Sequence, residues 1–180
     1  MISNEWFSTD YEHYKIFAII LFIIFSLIIS NYAHRKGLLS SEENRRLMHA
    51  TVGIIMSFST IIFSSKFFPS ILAIAFVFFN IIAFKSKLLP GIHSQKRKSY
   101  GTIYFPLSYL IVSYLFWEEN QFAILSLLIL AISDPIAAHI GSKKSSIWKF
   151  RVWYDYKTIS GTTAFFTSSI LILIIGNIFI

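Results

Sequence analysis

The chain contains no cysteine, which excludes disulfides, thiolate metal sites and thiol nucleophiles. It is poor in charge. Only 14% of its 180 residues are Asp, Glu, Lys or Arg, against about 25% in an ordinary soluble domain. Negative charge is scarcest, with nine acidic residues against sixteen basic ones. No Walker A or G-x-G-x-x-G pattern occurs, so a conventional soluble nucleotide-binding domain is excluded. The first apolar segment does not read as a cleavable leader either. The first residues carry Glu5, Asp10 and Glu12 rather than a basic region, and no small-x-small site follows. The first apolar segment is therefore expected to be retained, with residues 1–15 as an extracytoplasmic leader.

What the chain has is apolar residues, 55% of the total, and they are clustered. Uncharged runs lie between Lys15 and His34, His49 and Lys66, Lys66 and Lys85, and Lys98 and Glu118; two more cover Asn120 to Ser142 and Thr158 to Ile180. A helix needs about 20 residues to cross a bilayer core, with a lower range near 17. The expectation is one all-α, polytopic membrane domain over residues 1–180, with about six transmembrane helices.

Charge supplies an orientation. Fourteen of the sixteen basic residues fall in three loops, His34 to His49, Lys85 to Gly101 and Gly141 to Gly161. The positive-inside rule puts these loops in the cytoplasm. Both termini then lie outside, and in a prokaryote the membrane would be the inner one. The loops are expected to touch anionic lipid. No nucleic-acid partner is expected, and the sequence is silent on oligomeric state.

One charge breaks the pattern. Asp134 interrupts the run from Asn120 to Ser142, followed by Pro135 and by the small residues Ala137, Ala138 and Gly141. A carboxylate deep in such a segment costs about 2.5–3.5 kcal/mol on insertion scales. Its segment runs inward, which puts Asp134 in the cytoplasmic half beside the basic loops. Acid and base gathered on one side suit a metal–phosphate site.

Three further motifs lie on that side. Glu42, Arg45, Arg46 and His49 recur at i, i+3, i+4 and i+7, one face of a short helix that Ser40 or Ser41 can cap. They read either as an ion-paired surface face or as a guanidinium clamp for phosphate. Tyr104 stands in an aromatic stretch, Tyr100 to Pro106, at the expected interface. Lys143 opens the third basic loop. That loop ends in Lys157-Thr158-x-x-Gly161-Thr162-Thr163, at the start of the last helix. Free N–H groups, a glycine and a nearby lysine there make a natural anion site, with Thr162 or Thr163 as cap.

Taken in order, these blocks resemble the dolichol kinase, phytol kinase and CTP-dependent diacylglycerol kinase family. The resemblance rests on E-x-x-R-[KR]-x-x-H at Glu42 to His49, Y-G-T-x-Y-F-P at Tyr100 to Pro106, D-x-x-A-A-x-x-G at Asp134 to Gly141 and K-[ST]-x-x-G-[ST] at Lys157 to Thr162. It implies phosphoryl transfer from CTP, with Mg²⁺, to the hydroxyl of a membrane lipid: a polyprenol, a phytol-like alcohol or a diacylglycerol. By that carry-over Asp134 is the metal or catalytic carboxylate, and Arg45, Arg46 and Lys157 are phosphate-binding cations. Lys143, Gly141, Thr158, Gly161 and Thr162 complete the nucleotide set. Glu42, His49 and Tyr104 are further candidates, with His49, His139 and Asp134 as possible proton acceptors. Members of that family usually carry a seventh helix, one more than is counted in this chain.

Two other classes compete. A phosphatidate cytidylyltransferase also uses CTP, but its paired aspartates and P-G-H-G-G run are missing. A transporter for an anionic solute would use Asp134 as its coupling site, but there is no internal repeat. An inactive scaffold is the third alternative.

Overall fold

In the computed structural model, residues 11–86, 101–143, 148–152 and 155–179 are described. The acidic residues Glu5 and Asp10, most of the second basic loop with Tyr100, and Lys144 lie outside them. The described chain is mostly helical. Helix α1 (Glu12–Arg35) ends in a Schellman motif: Leu38 N–H donates to the Ala33 carbonyl and Gly37 N–H to that of His34, with Gly37 at φ +73°. Helix α2 (Ser41–Ser57) starts at a capping box, in which Ser40 Oγ accepts from Glu43 N–H and Ser40 N–H donates to Glu43 Oε2. The one-turn α3 (Ser59–Ile62) follows, then α4 (Phe67–Ser86) and α5 (Gly101–Phe116).

The Asp134 segment is one rod in three parts, α6 (Asn120–Leu128), a π-helical turn (Ile129–Ser133) and α7 (Asp134–Gly141). Two short strands, β1 (Lys149–Val152) and β2 (Asp155–Thr158), pair antiparallel before α8 (Ile159–Phe179). That hairpin corrects the all-α expectation. Strand β1 alternates cation with apolar or aromatic residue in Lys149, Phe150, Arg151, Val152, a period of two that suits a strand.

Among the described residues, three helices, Glu12–Arg35, Asn120–Gly141 and Ile159–Phe179, are long and apolar enough to cross a membrane; Phe67–Ile82 and Ile103–Phe116 are apolar but shorter. The second expected span is different in kind. The short loop helix and the run after His49 are one helix, α2, whose first half is polar and which breaks at Phe58. Broad apolar faces are exposed, including Phe17, Phe25 and Ile28 on α1 and Phe166, Ile174 and Ile178 on α8. Apolar surface on this scale marks contact with lipid. The core lies between the helices, where Ile23, Met56, Leu72, Ala73, Tyr109 and Leu127 are buried together. Buried Asn44 of α2 accepts from Ser30 of α1, and the Tyr109 hydroxyl donates to Ser59 at 2.8 Å. Such satisfied polar pairs fix the helix register inside an apolar bundle.

Candidate active site

Helix α2 positions the first group of side chains. Arg45 pairs with Glu42 at 2.7 Å, so one member of the predicted face is held by the helix itself. Arg46 turns the other way. Its Nη1 donates to Ser142 Oγ at 3.3 Å, and its buried Nε has no hydrogen-bond partner among the described residues. A buried donor left unpaired costs about 1–3 kcal/mol, and an anion is its natural partner. Two turns from Glu42, His49 Nε2 lies 3.1 Å from the Leu130 carbonyl.

Asp134 opens α7. It is exposed, and it has no ion pair or hydrogen bond among the described residues. The insertion cost foreseen from the sequence is thereby reduced, because the carboxylate borders a cavity rather than packed hydrocarbon. The turn before it is π-helical because Pro135 cannot donate to the ladder.

Helix α7 lies along α8, and glycine makes this possible. A Cβ on Gly161 would meet the Ala137 carbonyl at 2.9 Å and Gly141 Cα at 3.2 Å, and one on Gly141 would meet Thr158 Oγ1 at 2.9 Å. Gly141 and Gly161, expected as backbone elements for ligand approach, are first a seam between helices. The helix cap is also corrected. Thr158, rather than Thr162 or Thr163, caps α8, its Oγ1 accepting from Gly161 N–H at 3.2 Å, while Thr162 Oγ1 donates back to the Thr158 carbonyl. Ile159 N–H donates to Trp148 carbonyl. Two donors foreseen for an anion are therefore already engaged.

These elements enclose a cavity of about 1000 Å³, the upper end of the usual range of about 300–1000 Å³ for a ligand pocket. Arg45, Arg46, His49, Tyr104, Asp134 and Gly141 line it, as do Lys157, Thr158, Gly161 and Thr162. Glu42 and Lys143 do not. Sequence reasoning missed Ser142, Tyr156 and Asn80, which line it as well. Asn80 had a signal, an amide inside the apolar run of α4. The cavity wall grades from polar to apolar. Along α2 its wall passes from Arg45 and Arg46 through His49 to Val52 and Met56, about 16 Å at 1.5 Å per residue. Ile23, Leu72, Ala73 and Phe76 join the apolar end.

No group of three His, Asp or Glu side chains able to hold a metal occurs among the described residues. A dedicated protein cage is absent there. The donor set fits Mg²⁺ in its other habit, one carboxylate with the remaining positions filled by phosphate oxygens and water.

Fold and cavity together define a helical membrane protein with an amphipathic binding site. The chain belongs to the same family as an uncharacterized protein of Methanocaldococcus jannaschii, to which it is 30% identical over 140 residues, 73% of this chain and 71% of that one. It is more distantly similar to a phytol kinase of Synechocystis, 21% identical over 154 residues, 83% of this chain and 64% of the kinase. No model of a known protein family matches the chain, and no solved structure matches it.

Proposed function

We propose that the protein is a lipid-alcohol kinase that transfers the terminal phosphoryl group of CTP, as its Mg²⁺ complex, to the hydroxyl of a membrane alcohol. The observation that carries this reading is a cavity lined both by cations and a carboxylate and by an apolar wall. Its volume, at the top of the range for one ligand, accommodates a nucleotide's phosphates and part of a lipid side by side. The similarity to a phytol kinase points the same way.

In this reading the bundle crosses the membrane six times, with the three basic loops and the polar end of the cavity in the cytoplasm. Arg46, Arg45 and Lys157 neutralise the phosphates. Asp134 would hold a Mg²⁺ ion, which would supply charge compensation for the phosphates. The alcohol lies with its chain between the helices, and its oxygen attacks the γ-phosphorus in line. The bond to the β-phosphate oxygen breaks, giving the lipid phosphate, CDP and a proton. Such transfer demands positioning and charge stabilisation more than covalent help. Of the three proton acceptors considered, His139 lies outside the cavity wall and His49 Nε2 is engaged by Leu130.

The test is transfer of label from γ-labelled CTP to polyprenol, phytol-like alcohol or diacylglycerol, with ATP in parallel. Asp134→Asn should lower the rate roughly 10²-fold or more. Transfer untouched by that substitution, or to no alcohol from either nucleotide, refutes the proposal.

A further inference from the structure

We propose that His49 is a positioning residue for Asp134, acting through the main-chain carbonyl of Leu130; the proposal rests on the role given to Asp134 above. The π turn Ile129–Ser133 ends one residue before Asp134. One extra residue per turn rotates everything after it by about 100° relative to a straight α-helix, so this turn sets the direction in which Asp134 leaves the helix. The same turn leaves a carbonyl in difficulty. In an i to i+5 ladder the Asp134 N–H goes to the carbonyl of Ile129, and the carbonyl of Leu130 falls opposite residue 135. Residue 135 is proline and has no N–H.

His49 supplies the missing donor from a different helix, Nε2 to Leu130 carbonyl at 3.1 Å. A carbonyl only accepts, so this nitrogen carries the hydrogen. From the other side the Phe105 ring of α5 meets the imidazole edge-on, centroids 4.3 Å apart at 62°. The ring is thus held by α5 and by the π turn, with no need of a ligand. Pro135 both creates the turn that aims Asp134 and opens the gap that His49 closes. Without the donor, the turn sheds its orphan carbonyl by relaxing toward α-helical register, and Asp134 swings off the cavity wall shared with Arg46 and Lys157.

The experiment compares wild type, His49→Gln, His49→Phe and Asp134→Asn in bilayer discs, with kcat, KM for Mg²⁺–nucleotide and KM for the alcohol. Glutamine keeps an N–H donor and phenylalanine keeps only the ring. Expected are a His49→Gln rate within about threefold of wild type with the same pH profile, and a His49→Phe kcat lowered tenfold or more with KM for the alcohol unchanged. Wild-type kinetics in His49→Phe overturn the proposal. So does a His49→Gln as impaired as His49→Phe with the acidic limb of the pH profile lost, since that marks a proton acceptor. If wild type turns over no alcohol, the kinase reading fails and thermal melting decides this one alone. His49→Phe should lower the melting temperature far more in wild type than beside Pro135→Ala, which restores an N–H to Leu130; equal losses overturn the proposal.

Discussion

At the scale of single residues, the decisive contrast is between Arg45 and Arg46. They are neighbours in sequence and share one cavity, yet Arg45 is paired with Glu42 while Arg46 keeps a buried Nε without a partner among the described residues. Arg46→Ala should therefore raise KM for the nucleotide about tenfold, the equivalent of about 1.4 kcal/mol, and leave KM for the alcohol alone. Nucleotide binding should also raise the melting temperature of the wild type, as any ligand of the native state does, and Arg46→Ala should lose most of that rise. An unchanged nucleotide KM would remove Arg46 from the site. The spacing in the sequence put both arginines on one face; it held no information on which of them Glu42 would claim, because Glu42 reaches either i+3 or i+4.

At the scale of elements, the seam between α7 and α8 ties Asp134 to Lys157. Gly161→Ala puts a methyl group against the Ala137 carbonyl, rigid backbone rather than a yielding side chain. Overpacking of this kind costs about 1–3 kcal/mol, and turnover should fall with the melting temperature because the two charged residues no longer sit on a common wall. Wild-type stability in Gly161→Ala would show that the helices part easily. The start of α2 carries a second expectation. Hydrogen bonds from the Ser40 side chain, then its backbone, hold the Glu43 carboxyl below its ordinary value of 4.5. A carboxylate with a depressed folded-state pKa stabilises the fold above its unfolded value and ceases to do so as pH falls through the folded one. The melting-temperature gap between wild type and Glu43→Ala should be full at neutral pH and close in acid below 4.5. A gap independent of pH would assign it to helix propensity instead.

Much of this was legible from residue order. Ser40 or Ser41 ahead of the acidic pair announces the start of α2, and four separated blocks, Glu42 to His49, Tyr100 to Pro106, Asp134 to Gly141 and Lys157 to Thr162, contribute half of the lining of one cavity. What escaped depends on distant partners. Nothing near Thr158 shows that its hydroxyl, rather than that of Thr162, would meet Gly161 N–H, since that choice follows where β2 hands over to α8. The π turn was marked only by Pro135, and its stabilising donor lies 81 residues away in sequence. The hairpin was hidden because its alternate residues are charged, Lys149, Arg151, Asp155 and Lys157, which read as a loop when the surrounding pattern is apolar helix.

At the scale of the whole molecule, the missing cysteines become an experimental asset. Single cysteines at Lys36, Lys149 and Glu118 can be labelled against no background. The proposed orientation requires Lys36→Cys and Lys149→Cys to resist a membrane-impermeant maleimide in intact cells and Glu118→Cys to react. The reverse pattern would put the cavity's polar end outside, away from cellular nucleotide.

The cavity's two ends also decide what concentration means for this protein. Its apolar wall is built from the interior of the bundle, from Ile23, Met56, Leu72 and Ala73, and in the proposed function would face a molecule that is never free in water. In the proposed function its polar end would answer to a solute counted per litre of cytoplasm. A lipid substrate would be counted per unit of membrane, so diluting it with inert lipid would starve the protein even when the total amount in the vessel is unchanged. Membrane composition then acts as a throttle on turnover.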